Sequence, residues 1–224
     1  MLVLALDTTT RWGSCAVVRD GDLVREEGSD PDREHAARLP ADLMMLLART
    51  DLHLRDIDVF AVASGPGSFT GLRIGIATMQ GLAFACQRPL VGVSALDALA
   101  SIAGPGQTAT WVDAWRGEVY ASTYVDGIAQ AEPLVALPES VLRSITSQTT
   151  FIGDGAATYR ALIEATLGPL ARFHEPARAP LAATIARLAA TRTASGDYAG
   201  PEEIRPIYVR RPSPEVVREA RRDP

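Results

Sequence analysis

Two short stretches hold most of the side chains that could do chemistry. The first is Asp7-Thr8-Thr9-Thr10, at the end of the apolar run LVLALD. An acid at the carboxyl end of a strand, followed by hydroxyls in a tight turn, can orient a metal-bound water and touch phosphates. The same residues can equally serve as a turn cap, bonded to local backbone. A comparable acid, Asp113, follows ATWV, but the WRGEV after it is bulkier and brings Glu118, which would repel phosphate. The second stretch is ASGPGSFTGLRIG, residues 63–75, with four glycines and a proline. A dinucleotide fingerprint would need a third glycine where Thr70 stands, and a Walker loop would need a lysine. A helix N-terminus after these glycines can still hold an anion through its free N–H groups. Gly71, Gly75, Thr78 and Ala85, with Gly81 nearby, give that helix a face of small side chains. Each glycine inside a helix costs about 1 kcal/mol relative to alanine. Such a cost signals close backbone approach, either by another part of the chain or by a partner.

Other residue types narrow the chemistry. All 22 basic residues are Arg; the chain has no Lys and no Asn. That excludes a P-loop lysine and Schiff-base catalysis. His35, His53 and His174 are far apart and show neither HxxxH nor HExxH spacing, which argues against a zinc site. Ser64 and Ser68 sit in GPGSFTG surroundings that differ from the G-x-S-x-G nucleophile elbow. The net charge is −5, so the chain should bind a polyanion poorly by itself, and any dealings with RNA should run through a partner. Cys15 and Cys86 both lie in apolar surroundings and read as buried free thiols.

The elements that must position these residues alternate in period. LVLALD reads as a buried strand, SCAVVRDG as its returning partner, and Asp20-Gly21 as the hairpin turn into DLVREEGS. Ala36, Leu39, Leu43, Leu46 and Leu47 recur at three and four, which makes REHAARLPADLMMLLART an amphipathic helix with Pro40 as a kink or a late start. DIDVFAVAS is the next buried strand, and a helix from about Thr70 to Cys86 follows the glycine block. PLVGVSALDALASIAG reads as a strand running into a helix, and GPGQ (104–107) as a linker between halves.

Beyond the linker the pattern repeats. Thirteen residues separate Asp7 from Asp20-Gly21, and thirteen separate Asp113 from Asp126-Gly127. An apolar strand, its terminal acid, a turn, a returning strand and Asp-Gly occur in the same order both times, which points to an internal duplication. TFIGDGAATYRALIEATL then reads as strand, glycine turn and helix, and PLAATIARLAATRTAS as a further helix. The expected architecture is α/β with two lobes, 1–103 and 104–211, and a charged, Pro-rich tail over 212–224. MLVLALDTTT lacks a basic leader and reads as a strand, and GLRIGIATMQGLAFACQ is interrupted and too short to span a bilayer. A cytoplasmic location is the expectation.

Taken together, LALDTTT, the REH before an amphipathic helix, SGPGSFTGLRIGIATMQGLA, VGVSALDALA, DAWRGEVYAS and PIYVR resemble the bacterial TsaB (YeaZ) family. The resemblance runs from residue 1 to about 211. It implies the two-lobed, mixed-sheet fold of sugar kinases, actin and the heat-shock ATPases, with a ribonuclease H-like core. It also implies a non-catalytic subunit that activates TsaD, the transferase that places a threonylcarbamoyl group on the adenosine next to the anticodon of tRNAs reading codons that begin with A. TsaE joins that complex, and a related contact gives homodimers. The carried-over interface residues are Gly71, Arg73, Ile74 and Gly75, with Ala77 and Thr78 behind them, beside His35, Leu39 and the rest of the histidine helix. Asp7, Thr8, Thr9 and Asp113 then become a degenerate nucleotide site. No cofactor is expected on the chain alone; ATP and magnesium enter only in the complex. Two departures stand out: Ala36 replaces a hydroxyl residue common after the histidine, and the TsaD-type metal-binding histidine pair has no counterpart. The alternative is an ATPase or kinase-like enzyme that uses Asp7, the threonines and Asp113 around a magnesium nucleotide.

Overall fold

The computed structural model describes residues 1–28, 35–198 and 200–209, with the backbone alone at 35–38. Two mixed sheets are built on one plan. In the first, β1 (Leu2–Asp7), β2 (Ser14–Arg19) and β3 (Asp22–Gly28) form an antiparallel meander. After α1 (His35–Arg49), β4 (Val59–Gly65) pairs parallel to β1. α2 (Phe69–Cys86) then leads to β5 (Leu90–Ser94), parallel to β4, giving the order β3-β2-β1-β4-β5. α3 (Ala95–Ala103) crosses to the second sheet.

There β6 (Gln107–Asp113) and β7 (Val119–Val125) repeat β1 and β2, and β8 (Ile128–Ala129) repeats β3. β9 (Leu134–Ala136) also pairs with β7. α4 (Pro138–Leu142) precedes β10 (Thr149–Ile152), which is parallel to β6; α5 (Asp154–Thr158), α6 (Arg160–Leu167) and β11 (Ala171–Phe173) complete the order β11-β10-β6-β7-β8. The duplication extends to single hydrogen bonds. Asp20 and Asp126 adopt φ of +52° and +49°, followed by Gly21 and Gly127 at +91° and +78°. Both positions are left-handed, as a tight I′ hairpin turn demands. The Asp20 N–H donates to the Met1 carbonyl and the Asp126 N–H to that of Gly106, at 2.9 and 3.1 Å.

β1 is buried along its whole length because both its faces are covered. Its period-two alternation sends Leu2, Leu4 and Leu6 to one side and Val3 and Ala5 to the other. The leucine side packs under α1 and α2, against Leu43, Leu46, Leu47, Ile76 and Met79. The Val3/Ala5 side joins α3 and α7 (Ala182–Ala194) in a cluster that also takes in Val112, Tyr120, Tyr124 and Ile152 of the second sheet. One apolar core therefore runs through both lobes. Ala182, Ala183, Ala186 and Ala189 keep α7 narrow enough to lie close on the first sheet beside α3.

α7 and the residues after it fall within the span expected as a second lobe, 104–211. α7 lies against β1, β2 and β4, and residues 200–209 follow it back to the first sheet. The Ile207 N–H donates to the Ser64 carbonyl at 2.7 Å, and Ile204 packs into the leucine-side core. α1 runs unbroken from His35 with Pro40 inside it, in place of a late start. The tail expected over 212–224 lies outside the described residues. No helix among those described is long and apolar enough to cross a membrane.

Candidate functional site

The glycine block and the Asp7 turn are one structure. After β4 the chain turns through Gly65 at φ +114°, and Ser68 caps α2 by accepting from the Gly71 N–H at 3.2 Å. The Ser68 N–H donates to the Thr9 carbonyl at 2.7 Å. A Cβ added to Gly67 would lie 2.4 Å from the Thr9 carbonyl oxygen, on Gly71 2.2 Å from that of Thr8, and on Gly75 2.2 Å from the Thr8 hydroxyl. These three glycines let α2 lie directly on the turn that carries Asp7. The Thr8 hydroxyl is buried against this helix and has no hydrogen-bond partner among the described residues.

The expected interface residues therefore divide. Gly71, Gly75 and Leu39 are buried and face the interior, so they cannot present a surface. Ile74 is half-buried. Arg73 is exposed, with its guanidinium 4.0 Å above the Phe69 ring and its Nε donating to the Tyr208 hydroxyl at 3.0 Å. The backbone of His35 opens α1, while its side chain lies outside the described residues. What α2 does expose is the stripe Thr70, Arg73, Ala77, Gly81 and Phe84, the last 80% accessible. Gly81 has open space around it. α1 adds Met44 and Met45 on the same side of the first sheet, 56% and 47% accessible. In the sequence Gly81 lies near the small-residue face, and Phe84, Met44 and Met45 stand at helical spacing opposite the core leucines without forming a motif.

On the other side of the Asp7 turn a cleft opens between the lobes. Two adjoining cavities of about 380 and 360 Å³ share Thr9, Thr10, Trp12, Asp154 and Arg178. Asp7 and Asp113 both line this cleft, one at the end of each central strand. Asp7 is fully buried; burial pushes its carboxyl up, opposed by bonds from the Thr9 hydroxyl and N–H at 2.7 and 2.8 Å. Asp113 accepts from the Trp115 N–H at 2.9 Å, and Asp154 accepts from the Asp113 N–H at 3.0 Å. Burial raises Asp154 to about 6. At the base of the cleft, Ser14 accepts from the Leu181 and Ala182 N–H groups, and Glu26 from that of Ala183.

A magnesium nucleotide fits this set poorly. The turn amides of Thr9, Asp113 and Trp115, and the first amides of α7, are already bonded to the chain's own oxygens. Phosphate is held by such amides when they are free. Among the described residues no three His, Cys, Asp or Glu side chains converge on a metal position. Asp154, Trp12 and Arg178 were missed as site residues: they reach the cleft from separate segments, and only the glycine turn IGDG hinted at the first.

Two duplicated lobes of mixed sheet around a cleft flanked by paired strand-end acids define an actin-like, sugar-kinase-like fold. The component A of (R)-2-hydroxyglutaryl-CoA dehydratase from Acidaminococcus fermentans shares that fold at a TM-score of 0.58 and 12% identity, over 87% of this chain and 99% of that one. Residues 29–215 match the family model described as TsaD, tRNA N6-adenosine threonylcarbamoyltransferase. The tRNA threonylcarbamoyladenosine biosynthesis protein TsaB of Escherichia coli is 32% identical over 94% of this chain and 95% of its own length. YeaZ from Pseudomonas aeruginosa superposes at a TM-score of 0.78, 32% identical, over 92% of this chain and 99% of that one. The chain belongs to the TsaB (YeaZ) family.

Proposed function

We propose that this chain is a non-catalytic subunit that binds and activates a TsaD-type transferase in forming threonylcarbamoyladenosine on tRNA. One observation carries the reading most directly. The outer stripe of α2 (Ala77, Gly81 and Phe84), beside Met44 and Met45 of α1, is apolar, small in its middle and open. Small residues in such a stripe let a partner helix approach the backbone closely, and Phe84 supplies an aromatic anchor of the kind that dominates interface energy. The cleft supports the same reading from the other side, because its amides are committed to internal bonds. Activation then comes from shaping the transferase, with TsaE joining the assembly. A homodimer would use the same stripe and compete with the transferase. tRNA reaches the chain only through the complex, in the cytoplasm, and ATP with magnesium sits on the partners or at their interface.

The test is titration calorimetry of the chain with a TsaD-type transferase, wild type against Ala77→Arg. A buried, unpaired guanidinium is costly, so affinity should fall at least about tenfold. The same affinity in both, with the variant folded, would remove the α2 stripe from the interface.

A further inference from the structure

The outer stripe of α2 is apolar along its middle, but its edges are charged. Phe84 is the shared wall of two open grooves of about 610 and 680 Å³, and the segment that returns after α7 forms their far side. Gln80 holds that segment in place, its Nε2 donating to the Pro201 and Ile204 carbonyls at 2.7 and 3.2 Å. Arg88 lines the first groove, and Arg205 and Glu202 line the second. Arg73 stands on the stripe itself, and all three arginines are exposed.

Elsewhere the chain pairs its arginines: Arg25, Arg49, Arg160 and Arg192 all meet carboxylates. Among the described residues Arg73, Arg88 and Arg205 meet none. Arg73 is braced by the Phe69 ring and the Tyr208 hydroxyl, and Nη1 of Arg205 donates to the Glu202 and Ile204 carbonyls. These contacts set two of the guanidinium groups in place without neutralising them. A guanidinium held in this way keeps N–H groups for a two-pronged bond to a carboxylate. Among the described residues lining the two grooves, Glu202 is the only acid. An apolar centre with a surplus of positive charge at its edge thus stands on a chain whose net charge is −5.

We propose that this arginine rim decides which partner the stripe accepts. It selects a TsaD-type transferase whose contact face is apolar at its centre and acidic at its edge, and it disfavours a second copy of this chain. The inference rests on the docking reading above and adds the charge that the partner must carry. The apolar centre alone does not choose, because Ala77, Gly81, Phe84 and the methionines of α1 suit either occupant. A closed homodimer sets the same patch of both copies face to face, so each rim would meet its own sign of charge. An acidic edge on the transferase instead pairs with the guanidinium groups. Like-charge contact rejects the wrong partner while opposite charge steers the right one.

The experiment joins calorimetry of the full chain against a TsaD-type transferase with sedimentation of the chain by itself. Wild type is compared with Arg88→Glu, with Arg88→Glu plus Arg205→Glu, and with Ala77→Arg, and thermal melts confirm folding. The Arg88 side chain makes no bond to the described residues, so its single variant keeps the test open should the double variant unfold. Wild-type affinity for the transferase should fall several-fold between about 0.05 and about 0.5 M NaCl. Arg88→Glu should weaken binding about threefold or more, and the double variant about tenfold or more. An equimolar mixture of wild type and double variant should associate more tightly than either protein by itself, since opposite rims then meet. Binding lost with Ala77→Arg but untouched by either charge reversal would overturn the rim and leave the docking reading standing. Full binding by Ala77→Arg would remove both. A mixture that associates no more tightly than wild type by itself would also overturn the proposal. So would wild type binding its own copy as tightly as the transferase, which would make the second copy the occupant.

Discussion

Replacing Gly71 and Gly81 by alanine, separately, should move stability in opposite directions, although both lie in α2. At Gly81 an added Cβ meets nothing within 4 Å, so the substitution collects only the helix-propensity gain of up to about 1 kcal/mol. At Gly71 the same methyl would sit 2.2 Å from the Thr8 carbonyl oxygen, against ordinary contact that begins near 3.4 Å. The obstacle is backbone, so no side-chain rotation relieves it. Nor is the turn free to retreat. The Ser68 N–H holds the Thr9 carbonyl at 2.7 Å, and Asp7 holds Thr9 by two further bonds. Forcing a methyl into a packed site costs about 1–3 kcal/mol, and more when backbone must shift. After the propensity gain, Gly71→Ala should still destabilise by about 1–2 kcal/mol. At this chain length that lowers Tm by about 2–8 °C, while Gly81→Ala raises it by up to about 4 °C. Paired calorimetric melts of the two variants read the difference directly. A neutral or stabilising Gly71→Ala would refute the view that the glycines of the block serve the Asp7 turn.

Other substitutions probe the remaining parts. Asp154 is raised to about 6 from an ordinary 3.8, so the folded state keeps its proton where the unfolded chain has lost it. Stability should therefore fall as pH rises from about 4 to about 6 and then level off, by about 2–3 kcal/mol for this group. Asp154→Asn keeps an acceptor for the Asp113 N–H and should flatten that part of the profile, making the variant the more stable protein at pH 7.5 in urea melts. Ser14→Ala strands the buried Leu181 and Ala182 N–H groups and should cost about 1–3 kcal/mol, read by the same melts. Gly81→Arg should leave Tm within about 2 °C of wild type but abolish co-purification with a TsaD-type transferase, since the side chain projects from open helix surface into the docking stripe.

Much of this architecture was legible because local chemistry repeats. The two Asp-Gly turns thirteen residues beyond Asp7 and Asp113 announced the duplication, and both adopt the left-handed geometry that their composition requires. The direction of the glycine face was not legible. Glycines report that something comes close, but a sequence does not say whether the neighbour is the Thr8 turn or another protein. The return of α7 to the first sheet was hidden for a similar reason. An alanine-rich helix fits any narrow gap, and the bonds that fix this one join Ser14 and Glu26 to residues more than 150 positions away. The cleft shows the same limit. Trp12, Asp154 and Arg178 form no motif, and meet only when the lobes close on a shared core.

The central claim is that this chain acts by docking through the outer stripe of α2, with no catalytic part for its cleft acids. Threonylcarbamoyl transfer to tRNA, reconstituted with a TsaD-type transferase, TsaE and this chain, tests it most directly. Three proteins are compared: wild type, Ala77→Arg, and Asp7→Asn with Asp113→Asn. The account predicts that transfer is lost with Ala77→Arg and retained with the cleft double variant. Full transfer with Ala77→Arg, or its loss in a cleft variant that still binds the transferase, would contradict it.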